Sequence, residues 1–136
     1  MRTLFEWIGI IAVVLIGKFL YDLSQQKKEL EKDGGVVRKY ATLIAFIMAL
    51  SERNRMHDVR ADGVTIADLR VHTNTVIHIV ETFGTVTIQW NLESIAFGKH
   101  RLEWEFNAQG DQRKMFEIFA RDVSEYQQRV LEKFLS

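Results

Sequence analysis

The stretch from Leu4 to Leu23 constrains this chain more than any other. Wound as a helix at 1.5 Å per residue, twenty residues reach about 30 Å, the thickness of a bilayer's hydrocarbon core. Its centre, Trp7 to Gly17, is uncharged and contains Ile8, Ile10, Ile11, Val13, Val14, Leu15 and Ile16. Trp7 and Tyr21 stand near the two ends, where interfacial aromatics are expected, and Phe19 and Leu20 belong to the same anchor. The pattern predicts a membrane-anchor helix over residues 1–23 and a single-pass protein.

Glu6 and Lys18 leave eleven uncharged residues between them, which is short for a span. Lys18 can snorkel to the interface along its alkyl stem, and a tilt of the helix brings Glu6 to water. Two other readings compete with the anchor. A signal peptide needs small residues at a cleavage site, whereas Gly17 is followed by Lys18, Phe19, Leu20 and Tyr21. A buried core helix is the other, because runs of about 10–14 apolar residues often belong to one. Orientation follows the basic residues beside the span: Arg2 before it, against Lys18, Lys27, Lys28 and Lys32 after it. That excess favours the C-terminal side in the cytoplasm.

Asp22 to Asp33 is polar and rich in helix formers, so residues 24–35 read as a helical stalk closed by Gly34-Gly35. The hundred or so residues that follow suffice for one domain, 36–136, and not for two. Val36 to Arg55 reads as one helix, with Val37, Tyr40, Leu43, Ile44, Ile47 and Leu50 at helical spacing. Ala41, Ala45, Phe46, Met48 and Ala49 make it apolar on almost every side, which requires deep burial or a membrane.

The period then changes to two. Asp62-Gly63 and Phe83-Gly84 are turn pairs. Strands are expected after the first turn (Val64, Ile66), over Thr75–Glu81, over Thr85–Trp90 and over Arg101–Phe106. In the last, Leu102, Trp104 and Phe106 alternate with Arg101, Glu103 and Glu105, as in an antiparallel sheet with one wet face. A second long helix follows Asp111, a candidate N-cap, with a stripe of Phe116, Phe119, Val123, Tyr126, Val130 and Phe134. The expected fold is α+β: an N-terminal transmembrane helix, then a two-layer domain of helix, about four antiparallel strands and helix. Trp90, Trp104, Phe106, Phe116 and Phe119 are its expected core anchors, each worth about 1.5–3 kcal/mol when buried.

Composition narrows the chemistry. No cysteine is present, which removes disulfides, thiolate nucleophiles and Cys-ligated metals. Eighteen basic residues balance eighteen acidic ones, so no strong field attracts nucleic acid. His72 and His78, six strand residues apart, stand about 20 Å from each other. With His57 and His100 they form no convergent ligand spacing, so no metal and no cofactor is expected. Glu103 and Glu105 beside Arg101 read as a solvated strand face rather than a catalytic acid pair. None of the serines sits in a G-x-S-x-G context, and no phosphate-binding glycine loop occurs.

The expectation is therefore a non-catalytic, membrane-tethered module for protein contacts, with the bilayer and a protein as partners and self-association open to it. Its contact residues would be Thr85, Thr87, Gln89, Arg101, Glu103 and Glu105 on the sheet's second face. The alternative is a domain that binds a lipid or small apolar ligand between helices and sheet. Phe46, Ile47 and Met48 of the apolar helix motivate it.

Overall fold

Two short helices, α1 (Gly35–Lys39) and α2 (Ala41–Met48), occupy the segment that the sequence reads as one helix from Val36 to Arg55. The computed structural model describes residues 35–135; the anchor read over 1–23 and the stalk up to residue 34 lie outside them. The helix is interrupted at Tyr40, whose φ of −105° and ψ of 28° depart from helical values. The cause comes from far along the chain. Gln112 opens the long C-terminal helix α3 (Gln112–Leu135) and points its amide into the break. Its Nε2 donates to the Lys39 carbonyl at 2.7 Å, and its Oε1 accepts from the Leu43 N–H at 3.0 Å. Lys39 and Leu43 are the i, i+4 pair that an uninterrupted helix would join directly. A side chain inserted into that ladder is a recognised cause of a kink. Tyr40 is fully buried at the break. Burial, and then the nearby Glu81 carboxylate, push its phenol up to about 12, although no hydrogen bond of ordinary geometry reaches the hydroxyl. Lys39 pairs with Glu81 on the outside of the same junction.

The helical segment stops at Met48, well short of Arg55. Asn54 Nδ2 donates to the Ile47 carbonyl at 3.0 Å, satisfying a group at the helix end, and Arg55 already belongs to a strand. Five strands follow rather than four: β1 (Arg55–Val59), β2 (Gly63–Leu69), β3 (Thr73–Thr82), β4 (Thr85–Ser94) and β5 (Gly98–Asn107). They form one antiparallel sheet in sequence order. The additional strand is β1. It is polar, mostly exposed, paired on one side and shifted in register between Met56 and Asp58, so it carries no period-two signal. Phe83 and Gly84 both have positive φ, 48° and 82°, as a two-residue hairpin turn requires.

One face of the sheet is apolar in register. Ile66, Ile77, Trp90 and Leu102 form one cross-strand row, and Val64, Ile79, Ile88 and Trp104 the next. All three helices cover this face, completing two layers. Val36, Val37, Leu43, Ile44 and Ile47 are buried from the first segment, and Met115 and Phe119 from α3. Trp90 and Phe119 are full core members. Trp104, Phe106 and Phe116 are half-buried, the first two because β5 is an edge strand with a neighbour on one side only. The Trp104 ring meets Phe119 edge-on at 4.9 Å, and its Nε1 donates to Asp122 at 2.8 Å. Asp111 caps α3 by accepting from the Arg113 N–H at 2.9 Å.

Gln112→Ala leaves two backbone groups at the break without their partner and should destabilise the domain by about 1–3 kcal/mol. For a domain of this size each kcal/mol lowers Tm by about 4–8 °C. An unchanged melting curve, followed by circular dichroism, would show that the helix closes its own ladder at no cost.

Candidate functional site

The face of the sheet away from the helices is set by strand alternation. Thr85, Thr87 and Gln89 of β4 lie between Val86, Ile88 and Trp90, so they point outward when the apolar residues point in. On β5 the same holds for Arg101, Glu103 and Glu105. The register sets Thr87 across from Glu105 and Gln89 across from Glu103, while Arg101 pairs with Asn91. All six residues read from the sequence as contacts therefore share one face. The next strand adds His78 beside Gln89, and β2 adds Thr65, whose Oγ1 lies 2.9 Å from His78 Nδ1. Sequence reasoning left out Thr65, His78 and Asn91, because only the register brings them to this patch.

The patch is polar, with small apolar islands. The Gln89 amide sits against Asn91 and the Arg101 guanidinium, and Arg101 Nη2 lies 3.9 Å from Glu103 Oε1. Exposed pairs like this last one contribute little to stability. Val76 and Val80 of β3 border the same patch, and a concavity of about 420 Å³ is lined by Val76, Asn91 and Arg101 at one side of it. The far edge of β5 has no strand partner among the described residues, so its unpaired backbone groups flank the patch.

Phe46, Ile47 and Met48 are not part of that surface. They belong to α2, in the opposite layer. Ile47 is fully buried, and the Phe46 ring stacks on Phe116 with centroids 4.9 Å apart. Met48 is half-buried against the core. A ligand would reach Ile47 only if α2 parted from the sheet.

A cavity does occur nearby, for a geometric reason. Eight helical residues span about 12 Å, whereas a ten-residue strand spans about 33 Å. Beyond Met48 the inner face is covered by α3 and by the loop that carries Leu50, Ser51 and Asn54. A cavity of about 320 Å³ opens there over Ile77 and Trp90, with Leu50, Phe119 and Val123 among its apolar walls. Asp68 lies at its polar rim, 8% exposed, and accepts from Ser51 Oγ at 2.8 Å and from Arg70 Nε and Nη2 at 3.1 Å each. The Arg70 hydrogen bonds hold the Asp68 carboxyl below its usual range; burial opposes them, and Ser51 assists.

Among the described residues no group of three or more His, Asp or Glu side chains is placed to hold a metal ion. His57 sits in the irregular stretch of β1, His72 in a turn, His78 on the outer face and His100 beside α3. No family model, curated protein or solved structure matches the chain.

A carboxyl whose folded pKa is depressed stabilises the fold above its unfolded pKa, and that contribution is lost as pH falls through the folded value. Asp68→Asn should therefore lower Tm at pH 7, and the two melting temperatures should converge as pH drops below the ordinary carboxylate range. A gap that stayed constant down to pH 2 would show that the network acts through shape and not through charge.

Proposed function

We propose that this protein is a membrane-tethered, non-catalytic interaction module whose outer sheet face receives a protein partner. The supporting observation is a five-stranded sheet whose helices, among the described residues, all lie on one face. Its other face gathers Thr85, Thr87, Gln89, Arg101, Glu103 and Glu105 beside the free edge of β5. Adding a strand of a partner to such an edge gives main-chain hydrogen bonds, and the polar side chains beside it give selectivity. The tether in this reading is the segment 1–23, with the domain on the cytoplasmic side. Among the described residues no helix is long and apolar enough to cross a membrane. Self-association of the anchored chains is compatible with the same surface.

A second reading has one feature in its favour. The cavity over Trp90 and Ile77 offers an apolar floor and a polar rim of a size suited to a small ligand.

Two measurements test the proposal. Full-length protein should resist carbonate extraction from membranes, while recovery in the soluble fraction would remove the tether. A photo-reactive residue at Thr87 or Glu105, introduced into the full chain in its native membrane, should give one discrete cross-linked product. The same residue at Glu117, on the exposed side of α3, should not. Equal cross-linking from all three positions would mean that the sheet face is merely solvated.

A further inference from the structure

The two edges of the sheet are built differently. β1 is five residues long, and its register slips between Met56 and Asp58. Short, bulged edges resist pairing with another chain. β5 is ten residues long and pairs with β4 in unbroken register, from Thr85 opposite Asn107 to Ser94 opposite Gly98. A long, regular edge is a template for a further strand. The alternation of the ladder fixes which backbone groups that edge offers. The Ala108 N–H donates to the Gly84 carbonyl at 2.8 Å, so this opposed pair is of the hydrogen-bonded kind. Such pairs recur at every second position, so Phe106, Trp104, Leu102 and His100 turn their N–H and C=O groups to β4. Those of Lys99, Arg101, Glu103, Glu105 and Asn107 point the other way, to the open edge.

The side chains of the same residues are exposed on the outer sheet face. Along the strand their order is basic, basic, acidic, acidic: Lys99, Arg101, Glu103, Glu105. Charges of one sign repel any like-charged strand that approaches. Two signs in this order are complementary to the same strand turned antiparallel. In such a pair of β5 strands a two-fold axis passes through one residue. An axis at Leu102 sets Arg101 opposite the partner copy's Glu103, and Lys99 opposite its Glu105, each pair formed twice. An axis at Arg101 sets that guanidinium opposite its own copy, and an axis at Glu103 does the same with two carboxylates. Like charges directly opposite destabilise a strand pair, and unlike charges stabilise it. The pattern therefore selects one register, and it does so without any of the four charges being idle in the single copy. Arg101 already adjoins the Gln89 amide and lies 3.9 Å from Glu103. A guanidinium has five donors and can serve a second carboxylate. On the inner face the same axis sets Leu102 opposite its own copy and His100 opposite the partner copy's Trp104. Leu102, Trp104 and Phe106 are half-buried in the single copy, and a further strand covers the side that β5 leaves open.

We infer that β5 pairs antiparallel with β5 of a second copy of this chain, about a two-fold axis at Leu102, joining two five-stranded sheets into one. The axis is normal to the sheet. Rotation about it reverses the strand and keeps the faces, so both helical layers lie on the same side. The inference rests on the reading of the β5 edge as a docking site and names its occupant. A two-fold contact needs one patch that is complementary to itself. A strand of another protein can satisfy the same main-chain groups, but nothing in this chain requires it to mirror the charge order. The chain's own β5 carries that mirror, in the one register whose bonded positions match.

The absence of cysteine makes the test direct, because one introduced thiol reports one contact. Full-length Leu102→Cys, purified in detergent micelles and oxidised, should form a disulfide-linked dimer. Opposed residues of a non-hydrogen-bonded pair stand about 4.5 Å apart between Cα atoms, within disulfide range. Glu105→Cys alone should not cross-link, because six strand residues, about 20 Å, separate it from its own copy. Mixed with Lys99→Cys chains, it should. Arg101→Glu or Glu103→Arg, added singly to Leu102→Cys, should cut the dimer at least about tenfold, since each sets like charges opposite one another. Mixing these two variants should restore it, because acid then faces base at both positions, a rescue that misfolded chains could not give. The inference is overturned if Leu102→Cys gives no dimer, if Glu105→Cys alone cross-links equally well, if charge reversal changes nothing, or if mixing fails to rescue. The docking reading fails separately. With no Leu102→Cys dimer, a product that joins a photo-reactive residue at Glu105 to a different protein keeps that reading and removes this inference; no product from either experiment removes both.

Discussion

The arrangement of the helical layer depends on one side chain. The amide of Gln112 stands between the Lys39 carbonyl and the Leu43 N–H, so the first helix is broken where the last one begins. Because the break is bridged by the first residue of α3, the relative placement of α2 and α3 is fixed by hydrogen bonds and not by apolar contact alone. Apolar packing tolerates sliding, whereas two directed bonds from one planar amide do not. The Phe46–Phe116 stack and the burial of Ile47 follow from that placement.

Much of this was legible in the sequence, and the failures have physical causes. Strands β2 to β5 announced themselves through alternation, and α3 through its stripe and the Asp111 cap. Strand β1 did not, because RMHDV lies at an edge, is shifted in register and buries little. Periodicity reports burial, and an exposed edge strand has none to report. The interruption at Tyr40 was equally invisible. The apolar spacing runs smoothly through residue 40, and the partner that breaks the helix is a polar residue 73 positions away from Lys39.

The candidate site divides in the same way. Alternation within β4 and β5 was enough to put six polar residues on one face. The neighbours they acquire, His78, Thr65 and Asn91, depend on register, which a single sequence does not display. The pairing of Phe46, Ile47 and Met48 with a ligand between helices and sheet was motivated by a helix apolar on nearly all sides. In the fold Ile47 faces the sheet and is fully buried, the Phe46 ring is stacked on Phe116 of α3, and Met48 is half-buried against the core. The cavity arises from a mismatch of lengths between α2 and the strands, a quantity that appears only once both ends of the helix are known.

The long-range bridge also fixes an order of events during synthesis. The first helix leaves the ribosome well ahead of Gln112, and at about 5–20 residues per second the gap of 73 residues lasts roughly 4–15 s. Throughout that interval the segment 36–48, apolar on nearly every side, lacks its bridge. The sheet assembles meanwhile as a meander of neighbouring hairpins, each closed by local contacts. The helical layer thus closes only after Gln112 has emerged, and its most adhesive element waits for that bridge.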